Sequence, residues 1–158
     1  MDNVKEIFQS FSRLRVLVVG DVMIDRYLRG RVDRISPEAP VPVLAFQHSE
    51  NRLGGAANVA LNIRALGAEP ILCSLIGKDE NAAVFRQLLP QADLSERGIL
   101  ESTERQTTVK TRVMAGSQHL LRVDREDTHL LSAREEEQFL QRLQHLLRHE
   151  EIHAILFQ

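Results

Sequence analysis

The chain has 158 residues, 43% of them hydrophobic and 27% charged, with a formal net charge of −2. That balance excludes wholesale disorder and leaves neither a broad basic field for nucleic acid nor a polybasic strip for a membrane surface. The length suffices for one sizeable core, and the expected partner is a small molecule or another protein.

The opening stretch MDNVKEIFQSFSRLR is mixed in charge and lacks the apolar centre of a secretion signal. No run in the chain approaches membrane-spanning length. Val4, Ile7, Phe8, Phe11 and Leu14 recur at helical spacing and predict a short amphipathic helix over 4–14. RVLVVGD (15–21) then reads as a strand apolar on both faces, ending at Gly20-Asp21. Through 22–47, Pro37, Pro40 and Pro42 exclude a helix and favour an extended, edge-type path.

AANVALNIRALG (56–67) carries Val59, Ala60, Ile63 and Leu66 on one stripe and stops at Gly67, a suitable residue for the position after a helix. PILCSLIG (70–77) predicts a buried strand holding the only cysteine, Cys73. A lone cysteine makes no internal disulfide, which fits a reducing, cytoplasmic setting, and in this run it reads as a small buried apolar residue. DENAAVFRQLLP (79–90) predicts a helix capped by Asp79 and closed at Pro90. This alternation argues for a parallel sheet with helices on its faces.

TTVKTRVMAGSQHLLRVD (107–124) breaks the rhythm, since two β-prone runs flank the turn signal AGSQ and predict a hairpin. In SAREEEQFLQRLQHLLRH (132–149), Ser132 and Glu135 have capping-box spacing and Phe139, Leu140, Leu143, Leu146 and Leu147 form the apolar stripe. The run Glu135 to Glu137 suits the dipole of a first turn. His145, His149 and His153 recur every four residues, but the helix is expected to end near Glu150, so no metal site is read there. IHAILF (152–157) predicts a further buried strand, and its position at the end of the chain makes the sequence read as the first part of a longer domain.

Ligands in open α/β sheets bind at the carboxyl ends of strands, beside the following turns. Asp21 and Asp25 follow the first strand, and Gly54, Gly55 and Asn58 open the next helix, so these five are expected to share a crevice. Carboxylates accept from hydroxyl groups, an asparagine donates and accepts, and bare glycine backbone admits a sugar ring, so the set suits a polyol. In the competing reading, Gly54-Gly55 only makes a tight turn and Asp25 caps or ion-pairs locally. The first strand is not followed by the Gly-rich turn of a dinucleotide site.

GGAANVALNIRALGAEPILCSLIG (54–77) closely resembles the N-terminal signature of the ribokinase-like, PfkB carbohydrate kinases. With GDVMIDRYLRGRVDRISPEAPVPV upstream and TTVKTRVMAGSQHLLRVD downstream, essentially the whole chain resembles the heptose-7-phosphate kinase branch. In that branch the kinase typically forms the N-terminal part of a bifunctional kinase and heptose-1-phosphate adenylyltransferase. The resemblance implies a three-layer α/β fold with a mostly parallel central sheet and a small β-lid, built from about 26–47 and 107–124. Residues 1–158 would be the N-terminal half of that one domain. It also implies transfer of the ATP γ-phosphate, with Mg²⁺, to O1 of D-glycero-D-manno-heptose 7-phosphate, on the route to ADP-heptose for the lipopolysaccharide core. Asp25 would bind sugar hydroxyls, Gly54, Gly55 and Asn58 would floor the pocket, and Asp21 would be a secondary neighbour. Lys110, Arg112 and Arg122 alternate along the lid strands and Arg34 and Arg52 flank the pocket, so one or two of them would pair with the 7-phosphate. The competing reading for each is a solvated strand face. The lid would also join two copies into a homodimer.

The family's catalytic Asp lies in a late Gly-Ala-Gly-Asp turn, which this sequence does not contain. No catalytic residue is therefore expected here, the nucleotide-binding segments are expected elsewhere, and the isolated chain is expected to be inactive. The alternatives are another PfkB-type sugar or nucleoside kinase, or a non-catalytic sugar-binding or dimerisation module.

Overall fold

The computed structural model describes residues 2–158. In chain order the elements are α1 (Asp2–Phe11), β1 (Arg15–Val19), β2 (Val22–Ile35), β3 (Pro42–Gly55), α2 (Ala56–Ala65), β4 (Glu69–Gly77), α3 (Glu80–Gln91), β5 (Ile99–Ser102), β6 (Val109–Ala115), β7 (Gln118–Arg125), α4 (Ala133–His149) and β8 (Ala154–Phe157). They form two four-stranded sheets, ordered β5-β4-β1-β8 and β3-β2-β6-β7.

The first sheet is parallel throughout. Alternation along its strands explains why the apolar runs are continuous, because each face needs its own helical cover. Val18, Leu72 and Ile76 pack with α2 and α3 through Ala57, Ala60, Phe85 and Leu89. Leu17, Val19, Ile71 and Cys73 pack with Leu146, Phe139 and Leu143 of α4. The result is the expected three-layer sandwich. Burial pushes the Cys73 thiol up to about 11, so it stays protonated and behaves as a small apolar residue. At the amino ends of β1 and β4, Arg15 and Arg97 alternate with Glu69 and Glu150 in a closed ring of ion pairs spanning 2.9–3.1 Å.

The second sheet grows from the first. Val22 and Ile24 at the start of β2 are buried in the main core, and the strand then continues outward with β3 antiparallel on one side and β6 parallel on the other. β6 and β7 form the expected hairpin.

Several boundaries and burial expectations need correction. The 22–47 path is extended and its edge character holds for β3, which begins at Pro42 and is outermost in its sheet, but β2, which contains no proline, is an inner strand between β3 and β6. α1 spans Asp2–Phe11 rather than 4–14, and its Val4, Ile7 and Phe8 stay exposed. α3 runs one residue past Pro90, which has no N–H to give to the carbonyl one turn back, so the helix ends directly after it. The stripe of α4 is narrower than expected, with Leu140 and Leu147 exposed. β8 is paired on one side only and is exposed along its whole length rather than buried, because an edge strand lacks the neighbour that would cover it. The short strand β5 had no alternation pattern long enough to predict it.

Candidate functional site

Strand alternation builds the site. Val22 and Ile24 face the core, so Asp25 emerges on the opposite face, where it is joined by Tyr27 and Arg29 on β2 and by Lys110 and Arg112 on β6. β3 returns beside β2 in a register that sets Gly55 opposite Val22, Gly54 opposite Met23 and Arg52 opposite Asp25.

The two glycines are required by close approach. A Cβ on Gly54 would lie 2.7 Å from Asp25 Oδ2 and 2.8 Å from Met23 Cγ. Gly55 has φ +60° and a Cβ there would lie 2.3 Å from the Asp21 carbonyl oxygen, which also accepts the Ala56 N–H at 2.9 Å. As the residue preceding α2, Gly55 offers no side-chain acceptor to the first turn. The bare backbone at 54–55 thus admits a carboxylate and a carbonyl of the chain itself.

Asp25 Oδ1 accepts a charge-assisted bond from Arg112 Nη1, and the two side chains are about equally exposed, at 21% and 23%. The Arg112 guanidinium also lies 5.5 Å from the centre of the Tyr27 ring, which Arg52 and Arg29 approach to 5.1 and 5.4 Å. Three cations therefore share one aromatic ring. Glu50 pairs with Arg52 at 2.6 Å and reaches Arg29 at 3.9 Å.

Lys110 Nζ donates to Glu126 at 2.9 Å and to Asp124 at 3.3 Å, and the bond to Glu126 is the main cause that raises its pKa. Arg122 pairs with Asp124 at 2.9 Å. Arg34 is nine residues beyond Asp25 on β2, about 30 Å of strand, and does not flank this region.

The structure brings Asp25, Gly54 and Arg112 into contact and sets Gly55 against the Asp21 backbone, but the five expected residues do not share one depression. Asp21 lines a cavity of about 760 Å³ at the carboxyl ends of β1 and β8, with Arg105, Gln106, Thr108, Asp127 and Phe157. Asn58 is exposed in a shallower hollow of about 280 Å³ with Arg52, Leu53 and Leu61. Asp25 is in the wall of neither. No three His, Cys, Asp or Glu side chains that can hold a metal come together among the described residues.

Sequence reasoning missed the carboxylates that anchor the second sheet. Asp79 caps α3 through Ala82 N–H and also accepts Thr107 N–H, both at 2.9 Å, while Asp127 accepts Gln106 N–H at 2.7 Å. Glu135 is 3% exposed, and it accepts from the Ser102 hydroxyl at 2.5 Å, from Ser132 N–H at 2.9 Å and from Arg105 Nε at 3.1 Å. Burial alone would raise its pKa, but these donors outweigh it and bring it down to about 2. On the opposite face of β2, Arg26 donates to Asn51 and Asn81, each at 2.9 Å, tying the sheet to the start of α3. The capping roles of Asp79 and Glu135 were legible from helix-start spacing, but their contacts with Thr107, Ser102 and Arg105, and those of Asp127 and Arg26, had no sequence signal.

Among curated proteins, the chain is 46% identical over 134 residues to the "Bifunctional protein HldE" of Citrifermentans bemidjiense, covering 85% of the chain and 28% of that protein. It is 50% identical over 116 residues to the D-beta-D-heptose 7-phosphate kinase of Bordetella bronchiseptica, covering 73% of the chain and 37% of that kinase. The chain thus spans about a quarter to a third of the length of these relatives. Among solved structures it resembles a carbohydrate kinase from Agrobacterium tumefaciens (TM-score 0.56, 21% identity, 71% of this chain and 35% of that one). It likewise resembles the ribokinase from Thermotoga maritima (TM-score 0.54, 17% identity, 71% and 36%). The fold is therefore ribokinase-like, with the chain matching about a third of each of those structures. Residues 13–152 match the family described as pfkB family carbohydrate kinase, so the chain, with its Gly-Gly turn set against Asp25, belongs to that family.

Proposed function

We propose that this chain carries the acceptor-binding side of a kinase that phosphorylates O1 of D-glycero-D-manno-heptose 7-phosphate. The observation that carries the reading is the Asp25 carboxylate seated against Gly54 and paired with Arg112, on a chain half identical over 116 residues to a D-beta-D-heptose 7-phosphate kinase. In this reading Asp25 accepts hydrogen bonds from sugar hydroxyls over the bare backbone of Gly54 and Gly55, and Asp21 and Asn58, which line separate hollows, are its outer neighbours. Lys110 and Arg112 answer the phosphate, and the setting is cytoplasmic. No helix among the described residues is long and apolar enough to cross a membrane.

ATP with Mg²⁺ supplies the transferred phosphoryl group in such a reaction. No three His, Cys, Asp or Glu side chains that can hold a metal come together among the described residues, and this sequence does not contain the Gly-Ala-Gly-Asp turn. The contribution derived for this chain is therefore binding and orientation of the acceptor.

The sheet β3-β2-β6-β7 acts as a lid in this reading, and a water-excluding cover is what a phosphoryl donor needs. Its polar face carries Asp25, Tyr27 and Arg112. The opposite face carries a cross-strand row of Leu28, Val113 and Leu121, with Val123 and Phe46 beside it, and Leu121, Val123 and Phe46 are 54–61% exposed. An apolar face of that kind suits a second copy of the chain.

Calorimetric titration with heptose 7-phosphate tests the reading, alongside Asp25→Ala and a far-UV circular dichroism control. Binding that vanishes in a folded variant supports it, and a folded wild type that ignores the sugar overturns it. A second reading, a kinase for a neutral sugar or nucleoside, draws on Lys110 being already engaged by Asp124 and Glu126. Tighter binding of a nucleoside than of heptose 7-phosphate would select it.

A further inference from the structure

The geometry points to Arg112 as a mask on Asp25 that an acceptor's phosphate removes. The inference rests on the reading above, in which Asp25 binds sugar hydroxyls.

Without ligand, Asp25 is flanked on two sides, while its side chain stays 21% exposed. Oδ2 lies against the bare Cα of Gly54, and Oδ1 accepts from Arg112 Nη1. A sugar hydroxyl arriving alone meets a carboxylate whose charge is already answered by a guanidinium and gives that guanidinium nothing in exchange, so Asp25 is a weaker acceptor for a neutral sugar.

Arg112 has another place to go. It faces Tyr27 directly across the β2–β6 ladder, and Arg29 and Arg52 approach the same ring. Around Tyr27 the three arginines are answered by two carboxylates, Glu50 and Asp25, so the cluster holds one positive charge in excess. A phosphate dianion brought there gives Arg112 a partner with several acceptor oxygens, in place of the single bond to Asp25. The move is a rotation of one long side chain on the face it already occupies. As Arg112 turns to the phosphate, Oδ1 becomes available to the hydroxyls of the same substrate. Selectivity for a phosphorylated acceptor then arises from an exchange of partners, and Arg112 works against the unphosphorylated sugar as well as for the phosphorylated one.

The test titrates the wild type, Arg112→Gln, Arg112→Lys and Arg52→Gln with heptose 7-phosphate and with unphosphorylated heptose, each variant checked by circular dichroism. Arg112→Gln is expected to weaken heptose 7-phosphate by about tenfold or more and to tighten the unphosphorylated sugar several-fold. Arg52→Gln, which removes a phosphate partner but leaves the mask, is expected to weaken only the phosphorylated sugar. If the unphosphorylated sugar binds Arg112→Gln no better than the wild type, the mask is refuted. Should that variant lose its fold, Arg112→Lys decides in its place, with the same signs and smaller changes expected. A wild type that binds neither sugar, or binding that survives Asp25→Ala, overturns the underlying reading instead.

Discussion

The Asp25 carboxylate lies so close to Gly54 that a single added methyl group at residue 54 would stand 2.7 Å from Oδ2. Gly54→Ala must therefore displace Asp25 or Met23, and it is expected to cost about 1–3 kcal/mol and to weaken heptose 7-phosphate binding at least as strongly. Gly55→Ala meets backbone 2.3 Å away at a positive φ, so it is expected to destabilise more and to disturb the start of α2. Thermal melts of the two variants check the order, and equal, small shifts would refute the steric account.

Glu135 ties α4 to the segment leading into β6. Its carboxyl titrates near 4.5 in an unfolded chain and near 2 in the folded one. The stabilisation is complete above about pH 4.5 and is lost as the pH falls toward 2. Glu135→Gln leaves Arg105 without its charge partner and should cost about 3 kcal/mol near neutrality. The variant's melting temperature should also depend less on pH between 4.5 and 2. Parallel melting curves against pH for variant and wild type would rule this out.

The apolar face of the second sheet gives a test of self-association. Leu121→Lys and Val123→Lys change residues that are 57% and 54% exposed, so the fold should tolerate them within about 0.5 kcal/mol. Light scattering is expected to show a dimer for the wild type and a monomer for the double variant. A wild type that is monomeric at high concentration contradicts the dimer reading.

The 158 residues by themselves are expected to show no phosphoryl transfer from ATP to heptose 7-phosphate. Phosphoryl transfer needs stabilisation of the developing charge and a base for the hydroxyl proton, and the Gly-Ala-Gly-Asp turn that supplies both in the family is not in the sequence. A coupled ADP-release assay on material free of other kinases decides it, and steady turnover would mean that residues of this chain perform the chemistry.

Much of the fold was legible because it depends on local pattern. The β1 and β4 runs, the α2 and α4 helices (though Leu66, Leu140 and Leu147 of their stripes stay exposed), the Asp79 and Ser132 caps and the AGSQ hairpin all rest on periodicity or on a side chain bonding to backbone within one turn. What failed depends on neighbours. β8 is as apolar in sequence as β1, yet one is exposed and the other covered, because burial of a strand is set by what lies beside and above it. The prolines at 37–42 mark an edge correctly for β3, but β2 before them becomes an inner strand once β6 pairs with its other side.

At the candidate site, the spacing of Asp25, Gly54, Gly55 and Asn58 suggests one crevice, and the structure sets Asp25 against Gly54 but leaves Asn58 in a hollow apart. Sequence by itself determined the strand and helix periods, the capping, and a Gly-Gly turn that only a close approach explains. Tertiary structure alone decided what makes that approach and how the charges pair. Arg112 reaches Asp25 across 87 positions of chain, and Glu135 reaches Ser102 across 33. Contacts of that separation follow from strand order and register, which depend on the packing of the whole chain and leave no periodic trace in it.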